Sequence, residues 1–240
     1  LNAWGGRLGN NELLNEDESK SPYVYSNGAV YSQDMKTLYS ITSDASGIFI
    51  VPESVETIAT GAMSNCPNVD TLIFLSNIEK IEDKSINSEQ LSRIYMLGKD
   101  IATSINENIF INSENQSAPV VYVQSPLYDE YVELWGETMG ETFTSVLEKD
   151  ELALENINGN IILKSNNGSI LLKGGDNEDF DTSTLPIDIV EIGACAFIGN
   201  NSVKNIILGE SAKTIGKSAF YNAQNLETLY STRSEDIYVE

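Results

Sequence analysis

The side chains that could do chemistry in this chain are carboxylates, serines, lysines and two cysteines, because its 240 residues contain no histidine. That absence removes Ser-His-Asp and Cys-His nucleophilic catalysis and every imidazole-ligated metal centre. Gly216-Lys217-Ser218 has the closing tripeptide of a phosphate-binding loop. Such a loop needs glycine five places before its second Gly, and position 211 is serine. Carboxylates are so abundant, 36 acidic against 14 basic residues, that neighbouring pairs arise by chance. Nothing in their pattern builds the cleft a two-carboxylate hydrolase needs. The densest acidic run, "DNEDFD" from Asp176 to Asp181, lacks the central Gly and terminal Glu of a calcium loop and reads as an exposed loop. Cys66 and Cys195 form neither a disulfide framework nor a CxxC metal pair. Each lies among apolar positions, as buried free thiols do. The chain therefore reads as a non-enzyme with no cofactor and no metal site.

The formal net charge of −22 at pH 7 repels nucleic-acid backbones. It suits a well-solvated secreted surface, or one that attracts basic partners or Ca²⁺. No apolar run approaches the ~18 residues of a membrane span. Leu1 is not an initiator Met and no signal segment precedes it, which suits a mature or trimmed chain.

The elements that would position any of these side chains are written as a repeat. An anchor isoleucine recurs at Ile58 and Ile81, and again at Ile192 and Ile215, 23 residues apart in each pair. Val55, Ile78, Ile189 or Ala212 stands three residues earlier. A small residue follows four later (Ala62, Ser85, Ala196, Ala219), then a bulky one (Met63, Ile86, Phe197, Phe220). After a turn rich in Asn, Ser and Gln comes a strand of the form L-x-x-L-x-L: "VDTLIFL", "LSRIYML", "VKNIILG" and "LETLYST". In a solenoid each turn buries its apolar columns against the turns above and below, so like positions demand like residues. The small residue lets the backbone bend close to the core, and the bulky one fills the space beside it.

This repeat resembles the BspA-type leucine-rich repeat, with Cys66 where that family often has cysteine and Asn200 and Ala223 in its place later. The resemblance implies a leucine-rich repeat solenoid, a right-handed β/α superhelix that is mostly β. The turn at Ile81 departs most, with Ser85-Ile86 for Ala-Phe, and local irregularity is expected there.

A larger period of about 130 residues predicts two tandem modules. "NGAVYSQDMKTLYSI" from Asn27 matches "NGNIILKSNNGSILLK" from Asn158, each reading as a β-hairpin before the repeats. "VVYVQSPLYDEYVELWG" (120–136) predicts a strand and an amphipathic helix, with Ser125 as N-cap, Pro126 as first helical residue and Gly136 as stop. The expected organisation is a remnant of a preceding closing segment over 1–18, and a first module over 19–150 with coils at 47–99 and a closing strand and helix at 120–136. A second module follows over 151–240 with coils at 183–232. "DIYVE" at the end resembles the strand before a further closing helix, as in a window on a longer array.

In L-x-x-L-x-L the x positions point away from the core. The fifth position holds Ile73, Tyr95, Ile207 and Tyr230, an unusual outward stripe, with Arg93 beside Tyr95. These five residues are the candidate ligand-binding set, and cover by hairpins, the 100–119 segment or a neighbouring module is the competing reading. Members of the family the chain resembles are typically extracellular or cell-surface proteins, including those of host-associated anaerobic bacteria. The resemblance therefore implies a secreted or surface recognition protein that binds a protein or glycan on a host or neighbouring cell. A structural stalk and a carbohydrate-binding accessory module are the alternatives.

Overall fold

The structure is a computed structural model, and it describes residues 21–64, 66–86, 91–102, 104–105, 109, 119–139 and 147–239. The remnant expected over 1–18, the turn after Ile86 and most of 100–119 lie outside the described residues. Chain contacts divide the protein into two compact units, Leu1–Lys149 and Asp150–Glu240.

Each unit is a β-solenoid in which every turn visits two parallel sheets. In the first unit one sheet carries the anchor isoleucines on the short strands Thr57–Ile58, Lys80–Ile81 and Ser104–Ile105. The opposite sheet, here called the front sheet, stacks Gly47–Val51, Val69–Phe74, Arg93–Met96 and Val120–Gln124 in parallel. The second unit repeats the plan with anchor strands Ile189–Ile192, Thr214–Ile215 and Tyr238–Val239, and front strands Asp179–Asp181, Asn205–Leu208 and Thr228–Ser231. Register is kept by identical position: Ile58 pairs with Ile81 and Ile192 with Ile215. All four anchors are buried, as are the four residues three places before them and the four small residues four places after.

The bend between the sheets has a conformational signature. The third residue after each anchor isoleucine, Gly61, Lys84, Cys195 or Ser218, has a φ of 70, 53, 61 or 56°. In three of these bends the following residue donates its N–H back across the turn, from Ala62 to Ala59 O and from Ala196 and Ala219 to Gly193 and Gly216 O. A positive φ at the third residue of a four-residue turn is what a type II geometry requires. The bulky residues then pack on one another, Phe197 against Phe220 at a centroid distance of 5.7 Å, and Phe180 from the facing front strand meets Phe197 edge-on at 5.1 Å. The departing turn keeps the same scheme, with Ser85 and Ile86 buried and the Ile86 amide bonded to Ile109 O at 3.0 Å. Corners are tied by asparagine: Asn200 Oδ1 accepts from the Ser202 and Val203 amides, and Asn77 Oδ1 from those of Lys99 and Asp100.

The hairpin regions hold one strand more than expected. Asn27-Gly28 and Asn158-Gly159 have φ of 48, 74, 55 and 85°, the paired positive values of a type I′ turn, and each joins an earlier strand to the predicted pair. Tyr23–Ser26, Ala29–Ser32 and Thr37–Ile41 thus form an antiparallel meander whose last strand pairs in parallel with Thr57–Ile58. Ala153–Ile157, Asn160–Lys164 and Ser169–Lys173 do the same in the second unit. The meander closes the first edge of each anchor sheet, where unpaired backbone groups would otherwise face water.

The closing segment corrects two expectations. Ser125 is not an N-cap: Ser125–Leu127 form a 3₁₀ turn around Pro126, and the α-helix is Tyr128–Met139. Gly136 does not stop it, since a helix tolerates an interior glycine at a cost of about 1 kcal/mol when its face is anchored. Here the anchor is Trp135, buried edge-on to Tyr131 at 5.0 Å, its Nε1 donating to Ala102 O at 2.9 Å. At the other end, Tyr238–Val239 of "DIYVE" pairs with Thr214–Ile215 in the anchor sheet. Val239 takes the anchor position, partnered with Ile215.

Candidate functional site

The fifth positions of the front strands fall on one rung in each unit. In the first, Ile50, Ile73, Tyr95 and Tyr122 are successive register partners. Parallel strands lie about 4.8 Å apart, so each such side chain is sandwiched by its neighbours. Tyr95 and Tyr122 stack at 4.8 Å with only 14° between their planes. Ile73 and Tyr95, expected to face solvent, are 0% and 4% exposed. Arg93, on the adjoining rung between Thr71 and Val120, is half-buried.

The second unit differs. Its rung runs Asp181, Ile207, Tyr230, and the next one Asp179, Asn205, Thr228. Tyr230 is 61% exposed and Ile207 half-buried. The two rungs line a shallow, mainly apolar concavity with Phe180 beneath. Asn205 Nδ2 donates to Asp179 Oδ1 at 2.7 Å, and Thr228 Oγ1 to Asn205 Oδ1 at 2.7 Å, which fixes the polar rung. Asp181 Oδ1 accepts from the Ser183 amide and hydroxyl at 2.8 and 2.6 Å, which fixes the first carboxylate of the other. Lys204, the residue before Asn205, is paired with Glu178 at 2.9 Å, and that hydrogen bond, with the attraction of the same carboxylate, raises the lysine's pKa. The carboxylates of Asp179 and Asp181 thus stand beside exposed apolar surface.

These two aspartates were missed because "DNEDFD" reads as a loop. Asp179–Asp181 is instead the first front strand of the unit, with Phe180 inward in the core. The signal was the alternation Asp-Phe-Asp, which has the period of a half-buried strand. Phe180 pairs with Ile206, the fourth position of its motif, and through it with Leu229.

The remaining chemical candidates resolve into packing. A Cβ on Gly216 would lie 2.6 Å from the Ala194 backbone nitrogen, so this glycine permits contact between turns. Lys217 and Ser218 after it are exposed side chains of the bend. Neither cysteine forms a disulfide. Cys66 is buried, its thiol donating to Met63 O at 3.1 Å. Cys195, expected to be buried, is only half so, because it occupies the left-handed position of the bend. Among the described residues no group of three or more acidic or cysteine side chains is placed to hold a metal ion. No helix among them is long and apolar enough to cross a membrane.

Turns of about 23 residues, each adding one strand to each of two parallel sheets, define a leucine-rich repeat solenoid. Within that class the chain belongs to the family described as BspA type Leucine rich repeat region, which matches residues 39–121 and 176–237 in six copies. No curated protein matches the chain. Two solved structures are similar: the pneumococcal vaccine antigen PcpA, and a leucine rich cell surface protein from Faecalibacterium prausnitzii A2-165. Each is 13% identical over 88% of this chain, with a TM-score of 0.31, and the match covers 70% and 67% of their respective chains. Likeness at that score adds nothing to what the turns themselves establish.

Proposed function

We propose that the chain is a non-catalytic recognition protein of the cell surface or extracellular space, binding a protein of a host or neighbouring cell through the front face of its second unit. The observation that carries this reading is the fate of the repeat's outward stripe. Ile207 and Tyr230 stay accessible above a concavity, whereas Ile73 and Tyr95 are covered. Exposed aromatic and aliphatic residues on a rigid sheet bind without losing much conformational freedom, which favours a preformed contact surface. Burial of the first unit's stripe favours a structural role for that unit, so one chain combines a spacer with a binder.

The test is binding of the immobilised chain to a panel of purified extracellular-matrix proteins and to a glycan array. Capture of a matrix protein, weakened about tenfold or more by Ile207→Ser with Tyr230→Ser, is the expected result. Unchanged capture by that double variant would reject the face. Binding to glycans alone would favour a carbohydrate module, and no binding at all a stalk.

A further inference from the structure

We infer that the second unit's face takes a cationic side chain, the Lys or Arg of a basic segment, seated across the rung Asp181–Ile207–Tyr230. This rests on the recognition reading above and names the partner's chemistry. Asp181 and Tyr230 are the two ends of one rung with Ile207 between them, so roughly 10 Å of sheet separates a carboxylate from an exposed aromatic ring. A Lys or Arg side chain combines an apolar stem with a charged head. The stem lies on Ile207, and the head meets either the Tyr230 ring face or the Asp181 carboxylate. Asp179 on the neighbouring rung adds a second negative charge to the lining, which contains no lysine or arginine. Each aspartate uses Oδ1 for its internal hydrogen bonds, and no bond to either Oδ2 occurs among the described residues. The nearest lysine in sequence, Lys204, is already paired with Glu178. Charge complementarity therefore selects a basic partner over a neutral or acidic one. The chain's net charge of −22 would speed its encounter.

The experiment uses the full chain and a hexa-arginine peptide, with hexacitrulline as the uncharged isostere, followed by titration calorimetry and by the Ile207 methyl resonance. Hexa-arginine is expected to move that resonance and hexacitrulline is not. Asp179→Asn with Asp181→Asn is expected to weaken hexa-arginine binding about tenfold, since asparagine keeps the Oδ1 acceptor while losing the charge. The charge-matched control, Glu133→Gln with Glu137→Gln on the helix, is expected to change it by less than about twofold. Tyr230→Leu, which keeps apolar area but removes the ring, should also weaken it. Equal losses in the aspartate and control variants would mean general attraction to an acidic chain and overturn the site. So would an unmoved Ile207 resonance, equal binding of hexacitrulline, or self-association of the chain through the same residues. If a captured matrix protein is lost in the Ile207→Ser and Tyr230→Ser variant but kept in the aspartate pair, the recognition face stands and the cationic partner falls.

Discussion

Ile192 and Ile215, 23 residues apart in the chain, are direct register partners on adjacent parallel strands, and both are buried. The same relation joins Ile58 to Ile81, and Ile81 pairs in turn with the half-buried Ile105, 24 residues further on. A column of this kind is stabilised by contact between neighbours, so removing one member leaves the next with a void beside it. Ile192→Ala is expected to lower the unfolding free energy by about 2–5 kcal/mol. Adding Ile215→Ala should depart from additivity by roughly 0.5–3 kcal/mol, because the two share one cavity. Urea unfolding of the two single variants and the double variant measures both. Additivity within a few tenths of a kcal/mol would mean the column is not a unit.

The left-handed bend residue yields a prediction of opposite sign. A side chain in that conformation costs about 1–2 kcal/mol relative to glycine, less glycine's own entropic cost. Lys84 and Ser218 carry that strain, and Gly61 at the equivalent position does not. Ser218→Gly and Lys84→Gly should each raise stability by up to about 1 kcal/mol, whereas Gly61→Ala should lower it by a similar amount. Thermal unfolding of the three variants decides it.

Much of this fold was legible in advance because a stacked repeat writes its packing into sequence. The anchor, the small residue and the bulky residue recur by type, and every anchor lies in its predicted column. What was not legible depends on things one turn does not encode. The bend conformation is shared by Gly61, Lys84, Cys195 and Ser218, four residue types with no common chemistry, so only the backbone reveals it. The fifth position is the same class of residue in both units, yet Tyr95 stacks on Tyr122 whereas Tyr230 stays open. That difference comes from what lies beside the strand, not from the strand's own letters. Asp179 and Asp181 escaped notice because a three-residue strand inside an acidic run gives too short a period to read.

Trp135 ties the closing helix to the last described turn of the first unit. Its indole is buried and its N–H is satisfied by Ala102 O. Trp135→Ala should cost about 3–5 kcal/mol of stability. Trp135→Phe keeps an aromatic body but leaves that carbonyl unpaired, for a smaller loss of roughly 1–3 kcal/mol. Chemical denaturation followed by circular dichroism separates the two. Equal effects would assign the anchoring to area alone.

Tyr31 links the first unit's stability to alkaline pH. Burial pushes its phenol up to about 12 from an ordinary 10.0, and its hydroxyl has no hydrogen-bond partner. Below pH 10 the phenol is protonated in both folded and unfolded chains, and pH has no leverage through it. Between about 10 and 12 the unfolded chain releases a proton that the folded one keeps, so stability falls as pH rises. Tyr31→Phe removes this part of the alkaline slope. At neutral pH it should leave stability unchanged or raise it by about 1 kcal/mol, because no buried hydroxyl remains unsatisfied. Unfolding midpoints at neutral and alkaline pH test both signs. Part of the slope that remains belongs to Tyr131, whose phenol is also raised by burial with a smaller push from Glu130, and part to Lys36, whose pKa is raised by its hydrogen bond to Glu56.

Leu229 occupies a core-facing rung of the Thr228–Ser231 strand, and 48% of it meets solvent, whereas its counterpart Ile94 is 1% exposed beneath Val121. Where every turn leans on its neighbours, a rung flanked on one side only is held less firmly, so the Leu229 amide should exchange with solvent sooner than that of Ile94.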